Sequence, residues 1–450
     1  MDLAAILARL LDEHDVPGAA VGVIDGDGAR IVTAGVRGGG RGSVDDDTVF
    51  AAASLTKPVF ASGVMTLVDA GELDLDRPLA AYGAEPFLPD DERAAAITAR
   101  MVLSHTTGFP NWREDGPLFL RWAPGTRWGY SGEGYAYLQQ VLEHVTGTSL
   151  DRHLAATVFE PLGMDHSGFV RRDEETAGFA FGHDRGGRPQ PPFRTRGWKA
   201  AAGGLYTTAP DYLRFLIHSL AHADRLFDPQ VRIDDELAWG LGWGIEDTAD
   251  RAVWQWGNDP GWKNFVIGRP RDRQGVVVFT NGDSGPLVYR DVVSRILPGP
   301  HPSLDTRRRR GWLLATAPRP VDLRRRLDEP AVQAVLEGLT TSGERTRLLG
   351  LVVERSWERQ DLSPGTPVAG LALELRRPGE AEITSLAVLP EWRRQGFARA
   401  LLVGAAAQLD LRVLEAETGA DAVGFFRAVG CSVEDLGGDR FRARLDLPPP

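Results

Sequence analysis

Apolar and polar positions change period along the chain, and each change marks an element. From Met1-Asp2-Leu3 to Leu10-Leu11-Asp12-Glu13-His14-Asp15 the apolar residues form one stripe, which predicts an amphipathic helix. Gly18 to Ile24 and Ala29 to Val36 read as the two strands of a first hairpin, and Gln274 to Thr280 reads as one of the last strands of the same domain. Between them, Val59 to Val68 is largely apolar; Pro58 fits only a first helical turn and Gly71 closes the run, so a helix is predicted to open beside Ser54. The pattern breaks at 297–320, where prolines and Arg307-Arg308-Arg309-Arg310 read as a connector. Beyond it, Ile383 to Val388 alternates like a strand and runs through a tight loop into a second helix around Leu401. The expected division is 1–298, a linker at 299–319, and 320–450.

Composition narrows the class. At 450 residues and 42% hydrophobic content the chain is long enough for two or three ordinary domains with real cores. There is no internal repeat and no run of about 18 apolar residues, so no transmembrane helix is expected. The start of the chain lacks the basic, apolar and cleavage segments of an export signal, which leads to the expectation of a cytoplasmic protein. A formal net charge of -11 makes the four arginines a solvated connector rather than a nucleic-acid site. The single Cys431 excludes an internal disulfide, and no metal site is read.

Ser54-Leu55-Thr56-Lys57 is the stretch with most chemistry in it. Residues three apart share a helix face, so Lys57 can bring its amine to the Ser54 hydroxyl, and the positive end of the helix favours the neutral amine and a developing oxyanion. A neutral amine is a general base. Such a spacing is common by chance, so its surroundings carry the weight: Leu103-Ser104-His105-Thr106-Thr107-Gly108-Phe109-Pro110, then Pro124-Gly125-Thr126-Arg127-Trp128-Gly129-Tyr130-Ser131-Gly132, then Phe159-Glu160-Pro161-Leu162-Gly163-Met164, then Gly203-Gly204-Leu205-Tyr206-Thr207-Thr208.

In this order the blocks resemble the class C β-lactamase and penicillin-binding-protein-like serine hydrolases over roughly residues 5 to 296. The resemblance implies an α/β (α+β) domain, an antiparallel sheet flanked by a helical region, with Ser54 at their junction. It makes Ser54 the nucleophile, Lys57 its base and Tyr130 the relay of a proton to the leaving group, with His105 beneath the site. The third motif falls at Trp254 to Trp262. There Gln255 takes the cationic position and Trp256 the hydroxyl position, followed by Gly257 and Asn258, and Gly132 stands where many relatives have Asn. The clamp for a β-lactam or D-Ala-D-Ala carboxylate is therefore missing, while the backbone N–H groups of Ser54 and Asn258 are left to form an oxyanion hole. Trp112, Trp122, Trp128, Trp239, Trp243, Trp254, Trp256 and Trp262 bracket these motifs and read as aromatic walls suited to an apolar or aromatic ester or amide.

In the second half, the strand ending Leu386-Ala387-Val388 leads to Arg393-Arg394-Gln395-Gly396-Phe397-Ala398-Arg399, a loop whose successive N–H groups can hold a pyrophosphate at the positive end of a helix. With Glu415-Ala416-Glu417-Thr418 and Ala422 to Cys431 downstream, it resembles the GCN5-related N-acetyltransferases over about residues 320 to 447. That implies a GNAT fold, a mixed sheet splayed where acyl-CoA enters, with acetyl-CoA as cosubstrate and an amine as acceptor. Phe426 stands where relatives often carry a tyrosine that protonates the CoA thiolate. Glu415 and Glu417 share one strand face; either is a candidate base, and both also read as surface charge. The combined expectation is a bifunctional cytoplasmic enzyme, a serine hydrolase joined to an acetyltransferase. The alternatives are a hydrolase regulated by a non-catalytic acyl-CoA-binding unit, a true β-lactamase, or a scaffold with a vestigial site.

Overall fold

The computed structural model describes residues 2–26, 28–113, 117–169, 178–184, 187–190, 200–222, 226–304, 321–322, 346–353, 366–377, 379–388, 401–402, 405, 409, 411–428 and 431–446. The chain divides into two compact units, Met1–Asp305 and Thr306–Pro450.

The first unit is built on an eight-stranded antiparallel sheet. Its strands are β1 (Gly18–Asp25), β2 (Gly28–Gly35), β7 (Val231–Arg232), β8 (Leu237–Trp239), β9 (Gly244–Glu246), β10 (Ala252–Asp259), β11 (Trp262–Arg269) and β12 (Gln274–Thr280), in the order β2-β1-β12-β11-β10-β9-β8-β7. Short strands β3 (Phe50–Ala51) and β6 (Tyr206–Thr207) pair with each other, as do β4 (Gly182–His183) and β5 (Pro189–Gln190). The expected hairpin and the strand from Gln274 are present, and β12 lies in the middle of the sheet, between β1 and β11.

Valines and isoleucines on β1, β11 and β12 are buried on both faces, so layers must cover both sides. The helix Ala209–Ala221 lies against β1 and β12; opposing Gly268 and Gly275 leave the room that its Leu216 and Leu220 take, since a Cβ on either would stand 2.8 Å from those side chains. The helices Leu3–Glu13 and Gly285–Ile296 pack together and against β2 and β11. Residues 36–230, between β2 and β7, carry the helical region, including the helices Thr56–Asp69 and Gly132–Thr146. The stretch expected to begin a linker at 299 instead packs on this unit as far as Leu304: His301 Nδ1 lies 3.0 Å from Glu246, and the Ser303 N–H and hydroxyl both donate to the same buried carboxylate. Residues 305–320 lie outside the described residues.

The second unit has a seven-stranded mixed sheet of β13 (Val321–Asp322), β14 (Thr346–Val353), β15 (Thr366–Arg377), β16 (Glu380–Val388), β17 (Val413–Thr418), β18 (Ser432–Gly437) and β19 (Arg440–Asp446), ordered β13-β14-β15-β16-β17-β19-β18. β16 and β17 are its parallel pair. Their pairing stops at Glu382 opposite Glu415 while the strands run on to Val388 and Thr418, so the sheet splays there. Leu371, Leu373, Leu401, Leu402, Leu414 and Phe426 belong to its core.

Candidate functional site

Ser54 sits in a 3-10 turn, Ala53–Leu55, and the α-helix itself begins at Thr56, so the serine lies just ahead of the helix rather than in its first turn. Ala53 has φ 51°, in the left-handed region, a cost of roughly 1–2 kcal/mol for a residue with a Cβ. Contacts on every side hold it. The Thr56 hydroxyl donates to the Ala53 carbonyl at 2.6 Å and accepts from the Leu205 N–H at 3.1 Å. Tyr212 donates to the Leu55 carbonyl at 2.8 Å, and Asn264 to the Ala51 carbonyl at 2.9 Å. Gly257 of β10 presses against the same chain: a Cβ there would lie 2.4 Å from the Ala52 carbonyl oxygen.

Lys57, one turn on, is fully buried. Its Nζ is 3.0 Å from Ser54 Oγ and donates to the Ala202 carbonyl at 2.6 Å. The rings of Tyr130 and Tyr135 stand 4.8 and 5.4 Å from it. Desolvation lowers the amine to about 7, against an opposing pull from Asp259, so the amine is largely neutral just above neutrality. Tyr130 moves the other way: burial raises its phenol, only partly offset by hydrogen bonds from Ser54 and Gln255, and it stays protonated. One group is thus set to take a proton and its neighbour to give one.

Tyr130 is held by its surroundings. Ser131 caps the helix Gly132–Thr146 by accepting from the Gly134 N–H, and its own N–H donates to His105 Nδ1 at 3.1 Å. The His105 ring lies 4.2 Å from Tyr130, fully buried and held well below the usual histidine range by desolvation and by Lys57. It is neutral, and supports Tyr130 from beneath.

Gln255 reaches inward from β10. Its Nε2 donates to the Ser54 carbonyl at 3.0 Å and to the Tyr130 hydroxyl at 2.9 Å, so this side chain ties Ser54 to Tyr130. Trp256 stacks on Tyr130 at 5.3 Å and on Trp254 at 4.8 Å. Gly132 has a steric reason: a Cβ there would fall 2.5 Å from the Trp112 ring, which fills the space a second-motif side chain would use. Gly132→Asn is accordingly expected to cost about 1–3 kcal/mol in thermal denaturation, as overpacking does, with Trp112→Ala restoring most of it.

The tryptophans divide. Trp239, Trp243, Trp254 and Trp262 are fully buried and belong to the core, Trp243 between Phe215 and Phe227. Of those expected as walls, Trp112, Trp122 and Trp128 keep partial exposure.

Asp259 escaped sequence reasoning, although alternation from Gln255 through Gly257 was the signal that could have found it. Burial raises its carboxyl to about 6, against the pull of Lys263 and Lys57. Lys263 is itself buried in an ion pair with Asp283, and its Nζ also donates to the Asp259 carbonyl at 2.6 Å.

In the second unit, Leu386, Ala387 and Val388 end β16, and Arg393, Arg394, Gln395, Gly396, Phe397, Ala398 and Arg399 lie outside the described residues. Glu415 and Glu417 share the exposed face of β17, while Leu414 and Ala416 are buried. Each is taken by arginines across the sheet: Arg444 donates to Glu415 at 2.8 Å, and Arg440 to Glu417 at 2.6 Å. Phe426 is buried in the core. Among the described residues no cluster of three or more His, Cys, Asp or Glu is placed to hold a metal, and no helix is long and apolar enough to cross a membrane.

Residues 3–295 match the Beta-lactamase family, and residues 324–431 match the Acetyltransferase (GNAT) family. Penicillin-binding protein 4 of Amycolatopsis lactamdurans is 30% identical over 339 residues, spanning 64% of this chain and 87% of its own length. Esterase EstB of Burkholderia gladioli is 29% identical over 336 residues, 55% of this chain and 82% of its own. A solved class C beta-lactamase mutant superposes with a TM-score of 0.59 at 18% identity, covering 66% of this chain and 95% of that one, a likeness of fold.

Proposed function

The chain belongs to the beta-lactamase family of serine hydrolases and carries a GNAT-family segment behind that domain, and from this premise we propose that it is a bifunctional enzyme: an esterase or amidase acting through an acyl-enzyme on Ser54, joined to an acetyl-CoA-dependent N-acetyltransferase. The observation that carries the first half is a fully buried Lys57 with its amine 3.0 Å from Ser54 Oγ.

In this reading Lys57 takes the Ser54 proton as Oγ attacks the substrate carbonyl. The backbone N–H groups of Ser54 and Asn258 receive the oxyanion, since main-chain donors survive the side-chain changes around them. Tyr130, still protonated, gives its proton to the departing alcohol or amine and recovers it from the Lys57 ammonium. Water then attacks the acyl-enzyme, with Lys57, again neutral, taking its proton; the bond to Oγ breaks, the acid departs, and the Lys57 ammonium returns the proton to Ser54. Gln255 and Trp256 in place of a cation and a hydroxyl argue for esters or amides over β-lactams, and the relation to Esterase EstB supports the same choice. Incubation with a fluorophosphonate is expected to label wild-type protein at Ser54 and to leave Ser54→Ala unlabelled; equal ester turnover by the two would refute the assignment.

For the second half, the splay between β16 and β17 fits an acyl-CoA, whose thioester would supply the acetyl group. Leu386, Ala387 and Val388 and the loop with Arg393 and Gly396 would hold it, and an amine would accept the group. Glu415 or Glu417 would act as base only if its arginine pair opened. The use of acetyl-CoA supports a cytoplasmic site of action. A second reading, a GNAT unit that binds acyl-CoA without turnover, is favoured by Phe426, which has no hydroxyl to offer the thiolate. Acetyl-CoA binding by calorimetry, with no acetylated product across an amine panel, would support that reading; product would support the enzyme.

A further inference from the structure

The charge of the substrate can be read from β10, on the premise that Ser54 is the nucleophile. Alternation puts Gln255, Gly257 and Asp259 on one face of that strand. Gln255 touches the Ser54 carbonyl and Tyr130, and Gly257 presses on the Ala52 carbonyl, so this is the face turned to the nucleophile. Asp259 is its next position outward, half-buried at the strand end and electrostatically coupled to both Lys57 and Tyr130.

Nothing compensates it fully. Among the described residues no hydrogen bond reaches its carboxylate. Lys263, the cation on the next strand, is committed to Asp283, which also accepts from the Gly261 N–H at 2.9 Å. Lys57 must be neutral to act, and the cationic position of the third motif is Gln255. The charge that this motif turns toward Ser54 is therefore negative, where binding a carboxylate requires the opposite.

We propose that the ester or amide cleaved at Ser54 carries a cationic group, an ammonium or a guanidinium, that Asp259 receives, and that Asp259 thereby selects against anionic substrates. The cation would take up the unpaired carboxylate left by the internal pairing of Lys263 with Asp283. A carboxylate at the same place would meet charge of its own sign in a half-buried setting.

The test is a set of three p-nitrophenyl esters of matched length whose acyl chains end in trimethylammonium, in the neutral tert-butyl isostere, or in carboxylate, assayed at pH 8. The wild-type kcat/KM is expected to favour the cationic over the neutral ester about tenfold and to disfavour the anionic one by a similar factor, as expected for one charge pair at partly screened contact distance. Asp259→Asn, and independently Asp259→Ser, should bring both ratios to within about twofold of one, whichever way the neutral rate moves. The wild-type ratios stand without any variant. Ratios near one in the wild type, or a preference that survives both substitutions, would overturn the proposal while hydrolysis of the neutral ester upheld the Ser54 assignment. Absence of turnover on all three esters, with no fluorophosphonate labelling, would remove the hydrolase reading and this one with it.

Discussion

Lys57→Met is expected to lower kcat/KM for any ester that the protein turns over by about a hundredfold to ten-thousandfold, the range that a positioned general base contributes. The substitution keeps the length of the buried stem and removes only the amine, so folding should survive where chemistry does not. A second readout separates this from mere displacement of Ser54. The amine is lowered to about 7, and it takes a proton only when neutral, so wild-type kcat/KM should rise with pH through about 7 to a plateau above it. The acid limb should vanish from the residual activity of the variant. A wild-type profile that is flat from pH 6 to 8 would contradict Lys57 as the base.

Lys263→Met is expected to have the largest effect on stability. Lys263 and Asp283 are 3% and 2% exposed, and removing the lysine leaves a buried carboxylate without its cation. Breaking such a pair costs about 3–5 kcal/mol, which in a unit of this size is a drop in melting temperature on the order of 10 °C by calorimetry. Adding Asp283→Leu should recover a good part of it, because an apolar pair of similar volume carries no desolvation cost. A drop of under about 2 °C for the single variant would show that water reaches Asp283 and that the pair holds little.

Local patterns were legible wherever local forces decide. The hairpin of β1 and β2, the strand β12, and the helix around Pro58 follow from continuous apolar runs, turn chemistry and the fixed φ of proline, each within a few residues. Ser54 and Lys57 stand out by their spacing, and Tyr130 through the family resemblance of the blocks around it. What Gln255 does was not readable, because its two partners lie 201 and 125 residues earlier and only the closed sheet brings them within 3.0 Å. The tryptophans show the same limit. Spacing does not tell Trp254, whose buried ring faces Trp239, from Trp112, which fills the gap over Gly132, since both look alike until a neighbouring strand or helix is in place. Gly132 looked like a loss of chemistry; beside Trp112 it is an exchange of one occupant for another. Asp259 lies within the third-motif stretch but outside the positions to which the resemblance gives a role, although the period of the strand already places it on the face of Gln255 and Gly257.

The place of β12 at the centre of the first sheet has a consequence for synthesis. β1 leaves the ribosome well before β12, the strand it pairs with through Ala19 and Thr280. Until then both strands of the first hairpin present an unpaired edge. Such late, long-range closure makes folding slow and leaves a sticky nascent intermediate. A chain stalled or cut before Gln274–Thr280 is made is therefore expected to show the unpaired edge of β1 and to be prone to edge-to-edge association.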